Sequence, residues 1–125
     1  MNRKKIVFAN EIKENSGITY LKKDSNYDII HKVVIAIAPK SEIYLFGSRT
    51  EQTYAYNSDY DLMIILSENP TQSQERELAR KIRQKLAENN IPADVILHSK
   101  SHFQELFSKN GSIVREAYLK GIRIG

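Results

Sequence analysis

The chain has 125 residues, 41% of them hydrophobic and 27% charged, with a formal net charge of +4 and a pI near 9.3. That size and balance suit one domain with its own core. The absence of cysteine excludes disulfides, thiolate zinc sites and cysteine nucleophiles. The longest apolar runs, residues 33–38 and 62–66, are core-sized and too short to span a bilayer. The opening Asn2-Arg3-Lys4-Lys5 imitates a signal peptide, but Asn10 and Glu11 end its apolar part too soon, so a cytoplasmic protein without membrane association is expected. The mild positive charge admits nucleotides, RNA or an acidic partner surface, although solubility alone is the readier explanation.

Residues 1–25 form an extension with two readings. Ile6, Ala9 and Ile12 have helical spacing, and a hairpin turning at Asn15-Ser16-Gly17 fits nearly as well. Ser25 then caps a helix with Asp28 in its first turn. Tyr27, Ile30, Val33, Val34 and Ile37 form its apolar face, and Pro39 ends it. Residues 43–46 read as a strand. Residues 62–66 are continuously apolar, as in a central strand covered on both faces.

Asn69-Pro70-Thr71 opens the next helix, whose core stripe is Leu78, Ile82 and Leu86, and Asn89-Asn90 stops it. Residues 95–97 read as a third strand. Ser101 with Gln104 predicts a capping box for a short helix carrying Phe103, Leu106 and Phe107. Ser112 opens a last helix with Ile113, Val114, Ala117 and Tyr118 on one side. Residues 26–98 thus form the core of the domain, and residues 99–125 are expected to be helices. Strands close in sequence often pair antiparallel, and strand–helix–strand crossovers are right-handed and parallel. The first two strands should therefore pair antiparallel, with the third parallel to the second.

The chemistry concentrates at Gly47-Ser48, ten residues, then Asp59-Tyr60-Asp61. On a strand, Asp59 and Asp61 share a face with Tyr60 turned aside, a pairing suited to a hard divalent cation. Asp94 begins the third strand as Asp61 begins the second, so three carboxylates meet at one corner of the sheet. Metal-free, they would repel one another. Around cations they become a site in which Asp94 can also take a proton from an attacking hydroxyl. Asp94 as a mere exposed strand cap after Pro92 is an equal reading. Gly47 lets backbone N–H groups approach a phosphate, and Ser48 adds a hydroxyl. Arg49 reaches phosphate oxygens or lies in solvent.

Gly47-Ser48-x10-Asp59-x-Asp61 with a separate Asp94 resembles the nucleotidyltransferase superfamily that includes DNA polymerase beta. More closely it resembles the minimal nucleotidyltransferases that act as antitoxins to HEPN-domain toxins. The resemblance covers about residues 27–98 and implies an α/β (α+β) fold, a mixed sheet of three to five strands with helices packed on it. It implies transfer of AMP from ATP to a hydroxyl, usually a tyrosine of the toxin, with pyrophosphate leaving. Asp59, Asp61 and Asp94 would then be catalytic and hold two magnesium ions, while Gly47, Ser48, Arg49 and Ser58 would bind the nucleotide. After Arg49 the chain continues Thr50-Glu51-Gln52-Thr53-Tyr54, where many relatives have a small, basic run. Only about thirty residues follow Asp94, so the acceptor site is expected to be shared with another molecule. A homodimer modifying a small molecule such as an aminoglycoside and a non-catalytic antitoxin are the alternative readings.

Other residues invite function less strongly. His98 and His102 are expected not to share a face, because Ser101 would begin the helix between them; both read as surface histidines. Tyr54, Tyr56 and Tyr60 can stack on a base or simply pack the loop. The basic face of Arg76, Arg80 and Arg83 reads as solvated, and direct nucleic-acid binding is not expected.

Overall fold

Two hydrophobic periods alternate along this chain, and each switch marks an element boundary. The computed structural model describes residues 6–7, 25–47 and 59–125. The expectations for residues 8–24, and for Ser48, Arg49, Tyr54, Tyr56 and Ser58, lie outside them. The elements are β1 (Ile6–Val7), α1 (Asn26–Ile37), β2 (Glu42–Phe46), β3 (Tyr60–Ile65), α2 (Gln72–Glu88), β4 (Ala93–His98), α3 (Lys100–Phe107), α4 (Ile113–Lys120) and β5 (Ile122–Ile124).

The strands form one mixed sheet in the order β1-β5-β2-β3-β4. β2 and β3 pair antiparallel, as neighbours in sequence often do, and β4 lies parallel to β3, as the crossover through α2 predicts. β5 was not expected. The pattern of residues 99–125 predicts helices, yet Gly121 breaks α4 and the chain returns as a strand antiparallel to β2 and parallel to β1. A three-residue Ile-Arg-Ile strand has too little pattern to announce itself; its partners are remote in sequence.

Alternation along the strands divides the core into two layers. Ile43 and Leu45 of β2, with Tyr60, Leu62 and Ile64 of β3, face α1 and α2, where Ile30, Val34, Ile82 and Leu86 are wholly buried. Tyr44, Met63 and Ile65 face the other way, against Val114 and Ala117 of α4 and Phe103 and Leu106 of α3. β3 is therefore covered on both sides, which accounts for its unbroken apolar run. Burial raises the Tyr44 phenol well above its ordinary pKa, helped by the Glu42 carboxylate that accepts its hydroxyl at 2.6 Å.

The helix starts show which cap chemistry prevails. Thr71 and Gln74 form a reciprocal capping box at α2: Gln74 N–H donates to Thr71 Oγ1 at 3.1 Å, and Thr71 N–H to Gln74 Oε1 at 2.9 Å. Asn90, in the left-handed region at φ 60°, helps to end that helix. Ser25 precedes α1 but makes no side-chain cap; its φ of −65° and ψ of −18° are already helical, whereas a capping residue needs extended backbone. The predicted cap Ser101 lies inside α3. Ser99 takes its place, accepting from His102 N–H at 3.2 Å, while Ser101 N–H donates to Asn69 Oδ1 at 3.0 Å.

Candidate active site

Every predicted site residue that the structure describes lies at one end of β2, β3 and β4. Phe46, the last residue of β2, pairs with Asp61, and Asp61 pairs with Asp94 across the parallel β3–β4 ladder. Asp61 and Asp94 thus stand side by side on the face that carries Met63 and Ile65 farther along. Asp59 sits just before β3 and is exposed, as is Asp94; Asp61 is partly buried. The two strand starts are tied by Tyr60 N–H donating to the Pro92 carbonyl at 3.0 Å.

The electrostatics are those of crowded like charges. The Asp61 carboxyl is held above its ordinary pKa first by burial, then by the negative charge of Asp94, then by that of Asp59. Among the described residues no group of three or more His, Cys, Asp or Glu side chains is gathered closely enough to hold an ion as it stands. The corner is a register-paired couple with Asp59 at its rim. An all-oxygen, excess-negative donor set of this kind fits a hard cation that keeps several of its waters.

Gly47 completes the corner. It follows Phe46 with φ at +77°, and a Cβ placed there would overlap the Asp61 carboxylate oxygen. Only glycine supplies both the conformation and the space. The turn out of β2 therefore runs directly against the partly buried carboxylate.

Tyr60 is turned into the core and presents no ring for base stacking. It is 2% exposed and packs in the core shared with α1 and α2, its hydroxyl accepting from Asn26 Nδ2 at 3.1 Å. The first turn of α1 thereby grips the residue between the two aspartates. Asn26 carries no motif; only the alternation that turns Tyr60 away from Asp59 and Asp61 hints at such an anchor.

Two other features fall outside this corner. A cavity of about 370 Å³ lies at the opposite end of the same sheet face, lined among others by Lys40, Glu42, Lys100, Phe103, Phe107 and Tyr118, and contains none of the aspartates. On α2, Arg80 is engaged by its own helix: Nη1 donates to Gln84 Oε1 at 2.9 Å and Nε to Glu77 Oε2 at 3.2 Å. Among the described residues no helix is long and apolar enough to cross a membrane.

The family model described as "Polymerase beta, Nucleotidyltransferase" matches residues 35–120, which include Gly47, Asp59, Asp61 and Asp94. The chain belongs to this nucleotidyltransferase family. No curated protein matches it. Similar solved structures include three toxin–antitoxin complexes. One holds a tri-AMPylated Shewanella oneidensis HEPN toxin in complex with an MNT antitoxin, at 25% identity and a TM-score of 0.39, covering 58% of this chain and 52% of that chain. The present chain thus spans about half the length of that relative. A mutant MntA–HpeT toxin–antitoxin complex matches at 21% identity and a TM-score of 0.49, covering 80% of this chain and 73% of that one. An MntA–HepT toxin–antitoxin complex matches at 21% identity and a TM-score of 0.44, covering 80% and 69%.

Proposed function

We propose that this nucleotidyltransferase is magnesium-dependent, moves AMP from ATP to a tyrosine hydroxyl of a HEPN-type toxin, and thereby acts as an antitoxin. The observation that carries the reading is the register pairing of Asp61 with Asp94 beside Gly47, at the end of β3 where Asp59 also lies. The motif's resemblance to the minimal nucleotidyltransferases supplies the toxin partner. A further support is that α3, α4 and β5 are all occupied in building the sheet and its second face, so that none of them forms a separate acceptor-binding unit.

In this mechanism Gly47, with Ser48, Arg49 and Ser58, holds the triphosphate of ATP. Asp59, Asp61 and Asp94 would hold magnesium, which when bound supplies positive charge against the phosphate oxygens and relieves the repulsion among the carboxylates. The acceptor oxygen attacks the α-phosphorus, a new P–O bond forms, and the bond to the β-phosphate oxygen breaks in line with it, releasing pyrophosphate. Asp94, exposed at the start of β4, takes the hydroxyl proton. Asp61, fixed by its strand and by the Tyr60 anchor, orients the site. Positioning and charge stabilisation carry most of such a reaction.

Incubation with magnesium, a HEPN-domain ribonuclease and ATP labelled at either the α- or the γ-phosphate tests this reading. Label from the α-position should enter the ribonuclease and label from the γ-position should not. Label that remains in ATP from both positions would count against it.

A further inference from the structure

His98 and His102 stand together, contrary to the expectation that they would occupy different faces. The reason is the cap. Ser99, not Ser101, opens α3, so His102 falls in its first turn and returns over the end of β4. The two imidazole ring centres are 4.9 Å apart, with the planes at 86°. Two imidazoles bound to one tetrahedral ion, each at a metal–nitrogen distance of about 2.0–2.1 Å, place their ring centres roughly 5 Å apart.

Three further observations favour a cation here. His98 Nδ1 is buried without a hydrogen-bond partner, and an orphaned buried nitrogen is a place where an ion or ordered water belongs. Burial, and then the neighbouring His102, hold His98 below its ordinary pKa and so keep its imidazole a neutral donor, while Glu75 reaches the same corner from α2, accepting from Ser99 N–H at 3.0 Å. The frame is also firm. His98 carbonyl accepts from Leu66 N–H at 2.9 Å, Ser99 carbonyl from Phe103 N–H at 2.9 Å, and Ser99 itself is buried.

We propose that His98 and His102 form a two-imidazole site for a borderline divalent transition ion such as zinc, stapling α3 to the end of β4. No third His, Cys, Asp or Glu among the described residues closes on the pair, so water completes the coordination. The imidazole donors select zinc, copper or nickel over magnesium, the reverse of the aspartate corner. The two sites occupy opposite ends of β4, four residues or about 13 Å apart along the strand. Occupancy of one therefore does not require the other, and the proposal stands independently of the nucleotidyl-transfer reading.

The test is a titration of the full chain with zinc chloride in excess magnesium, followed by the histidine ring resonances. Saturable shifts of His98 and His102, with His31 unmoved, are expected; no saturable shift, or a shift of His31 alone, would overturn the proposal. Calorimetry of His102→Gln should show zinc affinity reduced by about tenfold or more, with its metal-free melting temperature retained. Unchanged affinity in a folded His102→Gln would overturn the site, as would loss of the zinc-binding in Asp59→Asn/Asp61→Asn, which would place the ion at the aspartates. Should His102→Gln not fold, the ring resonances of the unaltered chain decide the matter alone.

Discussion

Gly47 and Asp61 touch in a way that leaves no room for a side chain: a Cβ on Gly47 would overlap the Asp61 carboxylate oxygen, and φ is +77° there. Gly47→Ala should lose about 1–3 kcal/mol of stability from backbone strain. It should also displace the carboxylate and lower nucleotidyl transfer by about 10²-fold, since small misplacements at a reacting centre are that costly. Urea denaturation and initial transfer rates of the two proteins check both effects.

The crowding around Asp61 sets a pH dependence. Burial and the charges of Asp94 and Asp59 raise its folded-state pKa above the unfolded value, so the folded protein holds this proton more tightly. The group's contribution is therefore most favourable at low pH and is lost as pH rises from about 4 through the folded pKa. In metal-free buffer, Asp61→Asn should flatten this part of the stability profile and melt higher than the unaltered chain at neutral pH. Magnesium should raise the melting temperature of the unaltered chain and have little effect on Asp61→Asn. Thermal melts across the pH range, with and without magnesium, supply the comparison.

Tyr60 anchors the aspartate pair from the opposite face. Tyr60→Phe removes the hydroxyl that accepts from Asn26 and should cost about 0.5–1.5 kcal/mol. The ring remains to fill the core, so the fold survives, and transfer should fall by less than it does in Gly47→Ala. Parallel measurement of unfolding midpoint and transfer rate separates this anchoring role from a direct one on substrate.

Much of this arrangement was legible in the residues themselves. The apolar run at 62–66 marks a strand covered on both faces, and the crossover rule by itself places Asp94 beside Asp61. What escaped depends on partners remote in sequence. β5 is a strand because Ile43, Tyr44 and Leu45 offer it an edge, and nothing in Ile122-Arg123-Ile124 alone says so. Ser99 and Ser101 are chemically equal caps, and the length of β4 together with Asn69 decides between them. That two-residue difference also brought the histidines together. Asn26 could not be picked out, because its role exists only across the gap from residue 26 to residue 60.

The Thr71 capping box offers an independent check on the local account. Thr71→Ala removes the acceptor for Gln74 N–H and should destabilise the protein by about 1 kcal/mol. The residue is exposed and lies on the α2 side, away from the aspartates, so transfer activity should be unchanged. Equilibrium denaturation and an activity assay on one preparation suffice.

The central claim is that Asp59, Asp61 and Asp94 catalyse AMP transfer to a protein tyrosine. Intact-mass spectrometry of a HEPN-domain ribonuclease, after incubation with this protein, ATP and magnesium, tests it most directly. The account predicts added mass in multiples of one AMP, located on tyrosine, and none with a folded Asp59→Asn/Asp61→Asn variant. A ribonuclease of unchanged mass that is nonetheless inhibited equally by both proteins would contradict it.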